Sequence, residues 1–397
     1  MKKSRERHDK EMFKRIFDEH WESFKMLHVS YQDDYYDEVI KKMLNCGKEA
    51  GGYSEYVCSE CGGDIRRVCF SCKSTFCLSC AKGYTDNVVS QVSEKLHAGI
   101  IYRHVVLTIP EQLRRVFYRD RKKGKLLSEL MRTAQVCLES VAKTVRRREM
   151  KIGTIIVVQT HGRSGRYNPH VHIIMTDGGI DQTNGMWVKL GYIPYEIIHK
   201  QWQYNLLKML KKEVGEEIEG LLNKLWSLYP KGFVANVKKG QVPESCRGLA
   251  RYLAKYVASP PIAVRRIISY DGKQVTYWYN DHKSHSKKIE TVDVLTFIGR
   301  MVQHIMPKGF KRIRYYGLQS TKSFQKWKKI IEKGIQKIGI IVKGTYQIVV
   351  PKRYRERYKE VTGKDPLKCK NCGKELKLLR IWHPDYGVLY ENKELLQ

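Results

Sequence analysis

Acidic residues are the scarce class in this chain. Its 397 residues include 41 Asp and Glu against 74 Lys and Arg, a formal charge of +33 and a pI near 9.7. The basic excess runs along the whole length, and a field so one-sided suits a polyanion, nucleic acid before any other. Long apolar runs are missing too, which excludes an α-helical membrane span. The first residues, MKKSRERHDKEMFKR, carry charge but no apolar stretch of the kind a secretory signal needs. A cytoplasmic protein without membrane attachment is therefore expected. In that reducing compartment, eleven cysteines point to metal binding rather than disulfides. Internal repeats and low-complexity linkers are lacking, which favours compact, interlocked domains. At 42% hydrophobic residues, the length suffices for two or three domains with real cores.

Seven of the cysteines crowd into residues 46–80. Cys58/Cys61, Cys69/Cys72 and Cys77/Cys80 have the C-x-x-C form, a tight knuckle that points two sulfurs at one tetrahedral ion. Cys58, Cys61, Cys77 and Cys80 are expected to form one Zn²⁺ site, with Cys46, Cys69 and Cys72 as part of a second. A four-sulfur shell leaves no open position, so the zinc is structural. Cys369 and Cys372 make one further pair, which cannot close a site alone; His383 is a loose candidate partner.

Helical spacing of Phe13, Ile16, Phe17, Trp21 and Phe24 predicts an N-terminal helix, followed by another over Tyr35–Leu44. From Ile100 the character changes. Ile100–Ile109 reads as a strand ended by Pro110, Glu111–Met150 as a basic helical region, and Thr154–His161 and Asn168–Gly179 as two strands of a hairpin joined by a Gly-rich turn. Strand, helix, strand, strand gives an α+β layer. Side chains alternate along a strand, so His170 and His172 share one face, one pleat apart, as two ligands of a single ion would. Gln159 and His161 share a face of the preceding strand, and either could be a third ligand. No H-E-x-x-H motif is present to supply a carboxylate base.

Farther on, PESCRGLARYLAKYVAS predicts a helix from Pro243 to the Pro260-Pro261 stop. Tyr252 and Tyr256 lie four apart on one face, flanked by the cations Arg247, Arg251 and Lys255. A tyrosine can attack phosphorus and hold the cut chain covalently when a metal or nearby cations assist its phenol. Pro307–Gly317 (PKGFKRIRYYG) interleaves Lys308, Lys311, Arg312 and Arg314 with aromatics, which suits phosphate contacts and base stacking.

These pieces together resemble the two-tyrosine HUH transposases of the insertion-sequence-91 family. The resemblance runs from about residue 42 to 318 through MLNCG, VCSECG, SCKSTFCLSC, HVVLTIPEQLR, VVQTHGRSGRYNPHVHIIMTDGG, RYLAKYV and RMVQHIMPKGFKRIRYYG. It implies an HUH endonuclease fold, a central antiparallel sheet with flanking helices, preceded by a small cysteine-rich zinc domain. It also implies rolling-circle transposition through single-stranded DNA with Mg²⁺ or Mn²⁺. In that family His170 and His172 correspond to the metal histidines and Tyr252 and Tyr256 to the nucleophiles. Gln159 matches the family's third-ligand position, while His161 departs from its usual aromatic. The expected division is a helical arm at 1–45, a zinc-binding domain at 46–98, the endonuclease domain at 99–300 and a basic C-terminal region at 301–397. Cytoplasmic localisation becomes nucleoid association when DNA is bound. Two other readings compete: a plasmid rolling-circle replication initiator or relaxase with the same chemistry, and a zinc-dependent DNA-binding protein without catalysis. Oligomeric state is left open.

Overall fold

The computed structural model describes residues 2–237, 246–257, 260–281, 284–337 and 353–395; the side chains of Arg247, Lys255 and Tyr256 are among those outside the description. The chain is α+β, with helices set against antiparallel sheets. It forms two compact units. One comprises Met1–Asn87, Ile262–Gly299 and Val350–Gln397, the other Val88–Pro261 and Arg300–Val349. The first unit thus draws on the expected arm, the start of the zinc segment, the end of the 99–300 segment and the end of the C-terminal region.

In that unit the helix Lys2–Leu27 buries Phe13, Ile16, Phe17, Trp21 and Phe24, the apolar face that three- and four-residue spacing dictates. Asp33 starts the helix Asp34–Leu44, its carboxylate accepting from the Tyr35 amide at 3.0 Å. One four-stranded sheet has the order Gly387–Glu391, Lys377–His383, Tyr53–Val57, Ile65–Cys69. Strands from both ends of the chain therefore share a sheet. A second sheet joins Lys287–Asp293, Gln274–Asn280 and Ile267–Tyr270.

The second unit is built on an antiparallel sheet of order Ile313–Gly317, Met150–His161, Tyr167–Asp181, Tyr102–Thr108, Ala235–Val237, with Trp187–Lys189 paired to the end of Tyr167–Asp181. β-Branched runs make these strands, and alternation sorts their faces. Leu107, Ile156, Val158, Val171 and Ile173 lie in one core with the helices Lys125–Arg146 and Tyr195–Val214. Full burial of each such side chain contributes roughly 2 kcal/mol. His104, Gln159, His161, His170 and His172 alternate out of that core. The helix Cys246–Val257 packs across the strands Met150–His161 and Tyr167–Asp181, burying Leu249, Ala250, Leu253 and Ala254. Its expected start at Pro243 lies outside the described residues.

Candidate active site and cysteine clusters

Ladder register positions the site. Gln159 pairs directly with His170, and His172 stands between Val157 and Val106. The register shifts between Gln159 and His161, where the facing strand carries Pro169, a residue with no N–H to give a ladder. His170 Nε2 lies 3.1 Å from His172 Nε2, and Gln159 Oε1 lies 3.3 Å from the same atom. His170 Nδ1 is 2.7 Å from the Asn168 carbonyl, which can only accept. Nδ1 therefore carries the hydrogen and Nε2 presents its lone pair to the cluster. Two ligands at right angles around a small divalent ion, with bonds of about 2.1 Å, stand about 3 Å apart. The donor set fits such an ion. Of the two candidates for third ligand, Gln159 turns its oxygen to His172, while its amide nitrogen is 3.3 Å from His161 Nε2.

Burial lowers the pKa of His170 below the ordinary histidine value, with the Asn168 carbonyl opposing and Arg114 adding to the shift. Burial lowers His172 further, helped by His170, His104 and His161 around it. Both are neutral near pH 7, the form that ligates metal.

Tyr252, half-buried, reaches this group through a residue that the sequence pattern did not single out. Its Oη lies 2.8 Å from His104 Nδ1, and His104 Nε2 lies 3.1 Å from His172 Nδ1. Alternation along Tyr102–Thr108 was readable, but only strand pairing shows that His104 meets His172. Tyr256 is one turn farther along the helix; its side chain is outside the description. His304 is a second residue that was missed. Its Nε2 donates to the Gly165 carbonyl at 2.8 Å, and its Nδ1 is then left to accept from Thr160 Oγ1 at 3.1 Å. Burial drives its pKa down to about 4. This ring fastens the turn that joins the Gln159 strand to the histidine strand.

The basic stretch near residue 310 includes a strand of the sheet. Ile313–Gly317 is an edge strand paired with Met150–His161. Tyr316 packs against the core, burial raises Tyr315 to about 12, and Arg314 Nη2 bonds Ser128 Oγ at 2.7 Å. These side chains hold the sheet, because alternation turns them into neighbouring layers. Arg312 is half-buried; Lys308, Lys311 and Arg251 are exposed. The side chains of Arg247 and Lys255 lie outside the description.

The cysteines also group differently. Cys46, Cys72, Cys77 and Cys80 gather in one cluster, and Cys58 and Cys61 join Cys369 and Cys372 in another. The expected quartet of Cys58, Cys61, Cys77 and Cys80 is not brought together. The reason is the hairpin Tyr53–Val57/Ile65–Cys69. Cys58 and Cys61 sit at its tip and the other cysteines near its base, four ladder steps or roughly 14 Å away. Cys69 takes a ladder position opposite Tyr53 and enters neither cluster. His383 likewise lies on a strand, and the C-terminal pair finds its partners without it.

A family model described as "Putative transposase" matches residues 153–326, and one described as "Transposase zinc-binding domain" matches residues 16–109. The chain is 27% identical over 349 residues to the transposase for insertion sequence element IS801 of Pseudomonas savastanoi pv. phaseolicola, covering 85% of this chain and 81% of the relative. It is 25% identical over 379 residues to "Putative transposase y4qJ" of Sinorhizobium fredii, covering 90% and 92%. No solved structure matches. No helix among the described residues is long and apolar enough to cross a membrane.

Proposed function

Because the chain belongs to the insertion-sequence-91 family of transposases and carries its zinc-binding domain, we propose that it moves DNA as a single strand. On this reading the sheet is that of an HUH endonuclease. His170, His172 and Gln159 hold Mg²⁺ or Mn²⁺, and Tyr252 and Tyr256 are the nucleophiles. The observation that carries the reading is the chain of contacts from the Tyr252 phenol through His104 to His172. It supports the reading because the phenol oxygen lies on the sheet face that carries His170, His172 and Gln159.

The bound ion would polarise the scissile phosphodiester and offset charge that builds on its oxygens. The side chains do the rest. With His172 ligating through Nε2, its Nδ1 carries the hydrogen and donates to His104 Nε2. His104 Nδ1 then carries a hydrogen and donates to the Tyr252 oxygen. That donor holds the Tyr252 oxygen in place beside the metal donors. The Tyr252 oxygen attacks phosphorus and its phenol proton passes to solvent, the bond from phosphorus to the 3′ oxygen breaks, and that oxygen leaves as a hydroxyl after taking up a proton from solvent. The 5′ phosphate stays on tyrosine. Tyr256, four residues on and so about 6 Å along the helix axis, takes a second strand while the first is held. Strand transfer by a rolling-circle route needs such a pair. The exposed Lys308, Lys311 and Arg251, with Arg247, Lys255, Arg312 and the wider basic surface, serve the phosphate backbone.

Incubating the protein with single-stranded DNA from the element's ends and Mg²⁺ or Mn²⁺ tests this. Products with a free 3′ hydroxyl and a 5′ end blocked by protein are expected. Cleavage of duplex alone, or products with free 5′ phosphates, would count against it.

A further inference from the structure

Cys58 and Cys61 follow the strand Tyr53–Val57, and Cys369 and Cys372 lie between the bridged residues Lys368 and Glu375. The two loops are more than 300 residues apart, 308 between Cys61 and Cys369, yet built alike. The Gly62 amide donates to the Cys58 carbonyl at 2.9 Å, and the Gly373 amide to the Cys369 carbonyl at 3.1 Å. Gly62 and Gly373 follow their second cysteines at φ of +62° and +72°, where a side chain would be strained. The Cys58 amide donates to Asp64 O and the Cys369 amide to Lys374 O, closing each knuckle. The knuckles also grip each other. Lys370 N donates to Asp64 Oδ2 at 2.8 Å, and Asn371 Nδ2 to Gly63 O at 3.2 Å.

This construction aims four free thiols at one point. Cys58 Sγ is 3.4 Å from Cys372 Sγ, and Cys61 Sγ is 3.6 Å from Cys369 Sγ, with all four within 4.8 Å of one another. Four sulfurs bonded tetrahedrally to zinc at about 2.3 Å stand about 3.8 Å apart. We propose that Cys58, Cys61, Cys369 and Cys372 bind a second structural Zn²⁺, separate from that of Cys46, Cys72, Cys77 and Cys80, and that the far end of the chain thereby completes the zinc module. Each cysteine binds as thiolate and gives its proton to solvent. Half of these ligands fall outside residues 16–109, which the zinc-domain family model covers. The ion sits at the end of the ladder that pairs Tyr53–Val57 with Lys377–His383, so it fixes that pairing at the end where Val57 faces Lys377. Because metal binding supplies folding energy, docking of the C-terminal strands becomes zinc-dependent.

The test is zinc content of the full, reduced chain by mass spectrometry. Two ions per chain are expected in the unaltered protein, one in Cys369→Ser/Cys372→Ser, and two in Cys69→Ser. A second measurement needs no variant: Cys369 and Cys372 should resist alkylation until a chelator is added, whereas Cys69 should show no such dependence. A single zinc in the unaltered chain, two in the double variant, or chelator-independent alkylation of Cys369 and Cys372 each overturns the proposal.

Discussion

Tyr252 and His104 are 148 positions apart in sequence, yet the phenol oxygen lies 2.8 Å from the imidazole Nδ1. The same imidazole touches His172, so one side chain spans a candidate nucleophile and a candidate metal ligand. Residues in this position around metal sites set the tautomer and orientation of the ligand they touch. We predict that His104→Ala lowers cleavage about 10- to 100-fold, the usual cost of losing such a partner. Metal affinity measured calorimetrically should weaken too, because His172 loses the acceptor that fixes its tautomer. Unchanged metal affinity and unchanged cleavage would show that His104 is only a packed core residue.

The histidine pair and the third ligand separate in a second experiment. His170→Ala and His172→Ala should each abolish cleavage and leave DNA binding largely intact, since scattered Lys and Arg hold the backbone. Gln159→Ala should weaken Mn²⁺ binding more than His161→Ala does, because the Gln159 oxygen faces His172. The reverse order of damage would make His161 the ligand.

How much of this was open to reading from the sequence depends on distance along the chain. Alternation within one strand is local, so His170 and His172 declared themselves. Helical spacing is local as well, so the buried face of Lys2–Leu27 could be read. The role of His104 could not, because it rests on the register that sets Val106 against His172. Pairing of Cys58 and Cys61 with Cys369 and Cys372 depends on two hairpins meeting across 300 residues, and knuckle spacing says nothing about which knuckles meet. That Ile313–Gly317 is an edge strand was not legible in its interleaved cations and aromatics, because it depends on pairing with Met150–His161.

The His304 ring gives a pH prediction. Its folded pKa of about 4 lies below the ordinary 6.5. Above pH 6.5 it is neutral in both states and has no effect. Below that, the unfolded chain takes up a proton that the folded chain refuses, so stability falls as pH drops from about 6.5 towards 4. The loss attributable to this ring should reach roughly 3 kcal/mol at the bottom of that window. Urea melts at pH 7.5 and 4.5 should show a smaller acid loss in His304→Gln than in the unaltered chain. An equal loss in both would place the acid sensitivity elsewhere.

The charge of +33 predicts a steep salt dependence for DNA binding. With about six phosphates neutralised on a single strand, the logarithm of affinity should fall with the logarithm of salt at a slope of about −4. Fluorescence anisotropy on a labelled oligonucleotide gives the slope directly. A line flat between low and physiological salt is incompatible with backbone-driven binding.

The most direct measurement is to trap the covalent protein–DNA adduct and map the residue that bears it by peptide mass spectrometry. Phenylalanine at position 252 or 256 keeps the ring and removes the attacking oxygen, so each single variant should fold. We predict adduct on Tyr252 or Tyr256 in the unaltered chain, on Tyr252 in Tyr256→Phe, and none in Tyr252→Phe/Tyr256→Phe. Adduct that persists in the double variant, or that maps to another of the 25 tyrosines, would contradict the account.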